Sequence, residues 1–161
     1  MSNTWSIDTL SEELVKAFPM LGRQIAAHLR ATGDEETTLM QVGVLNQIKE
    51  RSTTASELAK MRRVSLQSVS VLVQGMVERG WIIRAPDPTD RRQFLLQITP
   101  EGVAKADTTH NQIVGFLMEL LADVTEEEIA AAQIFLPALR RMLTQHMAID
   151  SQGEQEEQTQ L

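Results

Sequence analysis

In this 161-residue chain Thr38 and Gln41, Thr54 and Glu57, and Thr125 and Glu128 each set a threonine three positions before a glutamate or glutamine, ahead of a run with helical spacing. In that spacing the hydroxyl accepts from the later backbone N–H while the carboxylate or amide reaches back to the threonine, so each pair marks a helix start. Helices are therefore predicted to begin near 39, 55 and 126. A fourth follows Ser65, where Val69, Leu72, Val73 and Met76 recur at helical spacing and Gly80 lies just past the end. A fifth starts at Thr99-Pro100, the threonine as cap and the proline where its missing N–H costs nothing, and is expected to run to about Asp123. Before all of these, Leu10, Leu14, Ala17, Phe18, Leu21 and Ile25 form one stripe of a helix from about Asp8 to Ala31, which Pro19 should bend.

One stretch departs from helical period. "WIIRA" and "QFLLQI" flank Pro86-Asp-Pro-Thr-Asp90, and apolar β-type runs on either side of a turn predict a hairpin. Strands are expected there alone. The segment from Asp150, "DSQGEQEEQTQL", is poor in apolar residues and rich in acids and glutamine, so disorder is expected over 150–161.

The order of elements places two short helices, joined by "MRRVS", directly before the hairpin. Those are the proportions of a helix-turn-helix with a wing. The fold class expected is mainly α with a small β-hairpin wing, divided as 1–36 N-terminal helix, 37–99 winged helix-turn-helix, 100–149 C-terminal helices and 150–161 tail.

Charge supports a polyanionic partner despite a net charge of −7. Residues 49–92 hold nine basic and five acidic side chains, a surplus of +4, whereas both flanks are acidic. A basic centre between acidic flanks offers one face to a polyanion and turns the rest away. A recognition helix in the major groove would leave the hairpin over the backbone or the neighbouring minor groove, where negative potential attracts arginine. Arg91 and Arg92 occupy that tip.

Other classes find little purchase. With no cysteine there are no disulfides, thiolate metal sites or thiol sensors. His28, His110 and His146 lack metal-ligand spacing, so no metal or other cofactor is expected. There is no glycine-rich phosphate loop or nucleophile elbow, which argues against an enzyme. The chain has neither an apolar run that could span a membrane nor the start of a secretory signal, so a cytoplasmic location without membrane partners is expected.

Residues 52–102, "STTASELAKMRRVSLQSVSVLVQGMVERGWIIRAPDPTDRRQFLLQITPEG", resemble the winged-helix core of the MarR family of bacterial transcriptional regulators. The most specific part is "DPTDRRQFLLQITPEG", which matches the family's wing. The resemblance implies an obligate homodimer paired through the N-terminal helix and the two C-terminal helices. It would bind a pseudo-palindromic operator in double-stranded DNA, usually as a repressor, and many members are released by a small aromatic acid. It places Ser65 as the cap of the recognition helix and Gln67, Ser68, Ser70 and Val71 on the DNA-facing side. The family often has arginine where this chain has Val71 and Gly75, so Val71 could meet a thymine methyl but cannot grip guanine. Arg62 and Arg63, in the turn, fit phosphate anchors.

In the wing, Asp90 and Arg92 are spaced to pair and stiffen the hairpin, leaving Arg91 for the groove; the two arginines could exchange roles. In the resemblance an effector pocket would involve Met20, Arg23, Met40 and either Phe116 or Met118, with Arg23 facing a carboxylate. Ordinary core packing accounts for those methionines equally well. Ile129, Leu136, Leu139, Leu143 and Met147 form a stripe that Phe135 and Met142 widen, and Pro137 is expected to kink that helix and shape either a pocket or a dimer seam. The alternative function is a winged-helix protein-interaction module without DNA.

Overall fold

The computed structural model describes residues 5–32, 37–88, 90 and 92–159, with side chains through 146. Among the described residues six helices and three short strands follow one another as α1 (Ile7–Ala31), α2 (Leu39–Glu50), β1 (Thr53–Thr54), α3 (Ala55–Arg62), α4 (Leu66–Glu78), β2 (Ile82–Pro86), β3 (Phe94–Ile98), α5 (Pro100–Leu120) and α6 (Glu126–Thr159). Each capping signal acts where it stands. Thr38 Oγ1 accepts from the Gln41 backbone N–H at 3.2 Å, and the Gln41 amide oxygen accepts from the Thr38 N–H at 2.9 Å. Thr54 and Glu57 repeat the arrangement at 3.1 and 2.8 Å, Thr125 and Glu128 at 3.2 and 2.8 Å. Ser6 caps α1, one residue earlier than the apolar stripe indicated.

The core is the meeting of α2, α3, α4, the sheet and the start of α5. Leu45, Leu58, Val69, Val73, Met76, Ile82, Leu96 and Ala106 are all buried there, while Leu72 packs against them half-buried. Burial of such side chains supplies about 1.5–3 kcal/mol each against the entropy of ordering the chain. The apolar face of α4 is thereby turned inward, and its opposite face is left to solvent.

Strands occur outside the hairpin too, contrary to the sequence expectation. Thr53 and Thr54 pair antiparallel with Leu96 and Leu95, giving a three-stranded sheet in the order β1-β3-β2. Two residues are too few to show a periodic pattern; they become a strand because β3 offers them an open edge. β2 and β3 pair from Ile82 opposite Ile98 to Pro86 opposite Phe94.

The wing is locked to α5 through one close approach. Gly80, at φ +72°, turns the chain out of α4. The Trp81 carbonyl then accepts from the Thr99 N–H at 3.0 Å, and the Thr99 hydroxyl lies 2.6 Å from the Gly80 carbonyl and 3.1 Å from that of Trp81. Gly102, in the first turn of α5, passes so close that a Cβ there would come within 2.0 Å of the Trp81 oxygen.

One expectation about helix length needs correction. α5 closes at Leu120 rather than near Asp123. The backbone of α6 is helical from Glu126 to Thr159. Glutamate and glutamine are good helix formers, and extending an existing helix requires no new nucleus. Neither Pro19 nor Pro137 ends its helix.

Candidate nucleic-acid interface

α4 starts on Ser65, whose hydroxyl accepts from the Ser68 N–H at 3.1 Å and shares a 2.8 Å hydrogen bond with the Ser68 hydroxyl. With Val69, Val73 and Met76 buried, the helical period leaves Gln67, Ser68, Ser70 and Val71 exposed on the outer face. These are the positions expected to meet DNA. Their freedom differs: the Ser70 hydroxyl donates to the Leu66 carbonyl at 2.8 Å and is spent on its own helix. Val71, 71% exposed, presents a bare apolar surface.

The turn before α4 separates the two arginines that sequence treats as a pair. Arg63 caps α3 in the left-handed conformation, φ 53°, and with Lys60, Ala59 and Val64 lines a shallow depression of about 510 Å³. Arg62 turns the other way. Its guanidinium lies against α2, 3.6 Å from the Met40 sulfur and 3.4 Å from the Gln47 amide oxygen, and partial desolvation lowers its pKa. Lys60 was missed by sequence reading, because helix position alone does not say which of three nearby cations faces outward.

The wing tip is closed by Asp90, although not through the expected ion pair. Its carboxylate accepts from the Arg92 backbone N–H at 3.0 Å and from the Gln93 side-chain amide at 2.9 Å. These bonds, Gln93 first and Arg92 second, hold its pKa below the usual aspartate value. Further bonds run from the Gln93 N–H to the Asp90 carbonyl, 2.9 Å, and from the Asp87 N–H to the Gln93 carbonyl, 3.1 Å. A carboxylate two residues from an N–H can reach it without crossing the hairpin, so the main chain wins over the guanidinium. Arg92 is exposed. Arg91 lies outside the described residues.

The basic surplus is thus redistributed. Lys49 pairs with Asp107 of α5, and Arg51 lies 3.7 Å from Glu57. Arg79 covers the Trp81 ring at 5.2 Å. Lys60, Arg63, Arg84 and Arg92 are exposed around α4 and the wing.

The residues suggested for an effector pocket lie on α1, α2 and α5. Met20 and Arg23 are exposed on α1, Met40 faces Arg62, and half-buried Phe116 stacks on His28 at 4.7 Å. An apolar groove of about 930 Å³ lies between α5 and α6, walled by Met118, Leu121, Ile129 and Leu136 among others. Of the residues suggested for the pocket, Met118 lines this groove.

Comparison with known proteins agrees with this geometry. Residues 36–93 match the model of the MarR family. The chain is 33% identical over 85 residues to the multiple antibiotic resistance protein MarR of Escherichia coli K12, covering 52% of this chain and 58% of that protein. It is 29% identical over 133 residues, 80% of this chain and 85% of the relative, to the HTH-type transcriptional regulator YcgE of Bacillus subtilis. Among solved structures, the reduced form of MarR from E. coli superposes with a TM-score of 0.66 at 26% identity, covering 86% of this chain and 98% of that one. The regulator BldR from Sulfolobus solfataricus shares the fold at a TM-score of 0.71 and 19% identity, covering 88% and 99%.

Proposed function

We propose that the chain, whose residues 36–93 match the MarR family model, is a winged-helix transcriptional repressor of that family that binds double-stranded DNA as a homodimer. The observation that carries this reading is the outward face of α4, with polar Gln67 and Ser68 beside Val71, flanked by Lys60 and Arg63 on one side and a wing tied at its tip on the other. Gln67 has the chemistry to read an adenine edge, Val71 a thymine methyl, and the cations the phosphates. A polar helix face framed by cations suits DNA better than a protein groove, which would favour an apolar stripe.

Two-fold pairing is supported by what a monomer would leave in water. Val15 is 73% exposed, Met118 70% and Ile134 78%, and Trp5, Ile7, Phe18, Leu136 and Leu143 are also exposed. Apolar surface on this scale marks an interface, and these residues belong to α1, α5, α6 and the segment before α1. The groove between α5 and α6 is part of the face that a second copy would cover. A small aromatic acid would then act by favouring one arrangement of the two DNA-binding units over another.

The test is selection of duplexes from a random pool, followed by fluorescence anisotropy and sedimentation. A two-fold sequence with half-sites centred about 10 base pairs or a multiple apart supports the reading. Failure to enrich any sequence, or a monomer at micromolar concentration, overturns it.

A further inference from the structure

Arg62 and Arg63 are adjacent in sequence, yet the backbone sends them apart. Arg62 is the last residue of α3, whereas Arg63 leaves the helix at φ 53°. The Arg62 guanidinium comes to rest on α2 along Met40, Gly43 and Gln47, which share one helical stripe at spacings of three and four. At Gly43 the slot exists because there is no side chain. A Cβ there would meet the two terminal guanidinium nitrogens at 3.0 and 3.1 Å.

The slot has the shape of a mechanical seat and not of a charge trap. Its polar contacts are a thioether and a carboxamide, and among the described residues no carboxylate stands within ion-pair distance. Gln47 is shared, since its amide nitrogen also donates to the Met61 sulfur at 3.1 Å. The side chains of Met61 and Arg62, both at the end of α3, are therefore fastened to one side chain of α2. From that end only Arg63 and Val64 separate α3 from Ser65, the cap of the recognition helix. Whatever fixes the last turn of α3 fixes the starting point and direction of α4.

We propose that Arg62 is a positioning residue: seated in the Gly43 slot, it holds the helix-turn-helix on α2 and sets the pose of α4, and it is not a phosphate ligand. The proposal rests on the DNA-binding reading above. Arg63 and Lys60 carry the phosphate contacts of the turn.

The experiment uses the full chain, a duplex selected by the wild type from a random pool, and an unselected duplex of equal length. Arg62→Met is expected to weaken binding to the selected duplex about tenfold while leaving the unselected duplex within about twofold and the salt dependence unchanged. Arg62→Lys, which keeps the charge but loses the planar fork, behaves like Arg62→Met. Gly43→Leu fills the slot and reproduces the loss, adding no more than about twofold to Arg62→Met. Gly43→Ala gives a smaller loss of the same kind.

A phosphate ligand would behave otherwise. Arg62→Met would weaken both duplexes alike, the salt slope would fall by about 0.9 for each subunit, and lysine would restore both. That result, or wild-type binding by all the variants, overturns the proposal. If the wild type enriches no duplex, the DNA-binding reading is what has failed. The seat is then judged by urea unfolding: strongly non-additive effects of Arg62→Met and Gly43→Leu support it, and additive ones refute it.

Discussion

Gly102→Ala should be among the most damaging one-carbon changes available to this protein. The added methyl would sit 2.0 Å from the Trp81 carbonyl oxygen and 2.8 Å from the Ile98 Cγ1. An ordinary carbon–oxygen contact is about 3.3 Å, so the two backbones must separate by more than 1 Å, roughly. The Trp81 carbonyl cannot simply step aside, because it accepts from the Thr99 N–H at 3.0 Å and lies 3.1 Å from the Thr99 hydroxyl. The same hydroxyl caps α5 by accepting from the Gly102 N–H at 3.0 Å. Overpacking costs about 1–3 kcal/mol and loss of the cap about 1, against a gain of up to about 1 from replacing helical glycine. The net expectation is a loss of about 1–4 kcal/mol. In urea, at fixed protomer concentration, a slope of about 2 kcal/mol/M turns this into a midpoint lower by about 0.5–2 M. Gly80→Ala is the control: it stands at φ +72° with nothing within 4 Å of a Cβ, so only backbone strain of about 1 kcal/mol should appear. A Gly102→Ala protein within about 0.5 kcal/mol of wild type would refute the reasoning.

Four further outcomes are expected. Gln67→Ala should cost roughly 1–3 kcal/mol on a selected duplex and barely touch random DNA; anisotropy showing equal losses on both would exclude a base contact. Asp90→Ala should weaken DNA binding despite removing a negative charge, since the carboxylate holds the Arg92 N–H and the Gln93 amide, and tighter binding would show that charge alone governs the wing. The Glu57 pKa is lowered by the Thr54 N–H first and the Thr53 hydroxyl second, so its contribution is full above the ordinary glutamate value near 4.5 and is lost as pH falls from there through the lowered folded value. Urea unfolding across that range should therefore show Glu57→Gln losing less stability than wild type. Met118→Glu, in the wall of the α5–α6 groove, should shift the sedimentation of the protein toward monomer, and an unchanged dimer would place the interface elsewhere.

The parts of this molecule legible in the sequence are those whose causes lie within one helical turn. Thr54 with Glu57 and Thr125 with Glu128 cap their helices through bonds made within one turn, and Val69, Leu72, Val73 and Met76 choose the inner face of their helix by spacing alone. The outer face, with Gln67, Ser68 and Val71, follows by subtraction. Causes that span many residues needed the assembled fold. Thr53 and Thr54 are a strand because Leu95 and Leu96 lie alongside, and Gly102 is required by a carbonyl contributed by Trp81. The direction of Arg62 was decided in the same way. Sequence placed it beside Arg63 as a second cation, but the left-handed residue after it and the missing side chain at Gly43, on another helix, turned it inward. Periodicity records which side of a helix is apolar; only packing determines what that side, or a long flexible cation beside it, will meet.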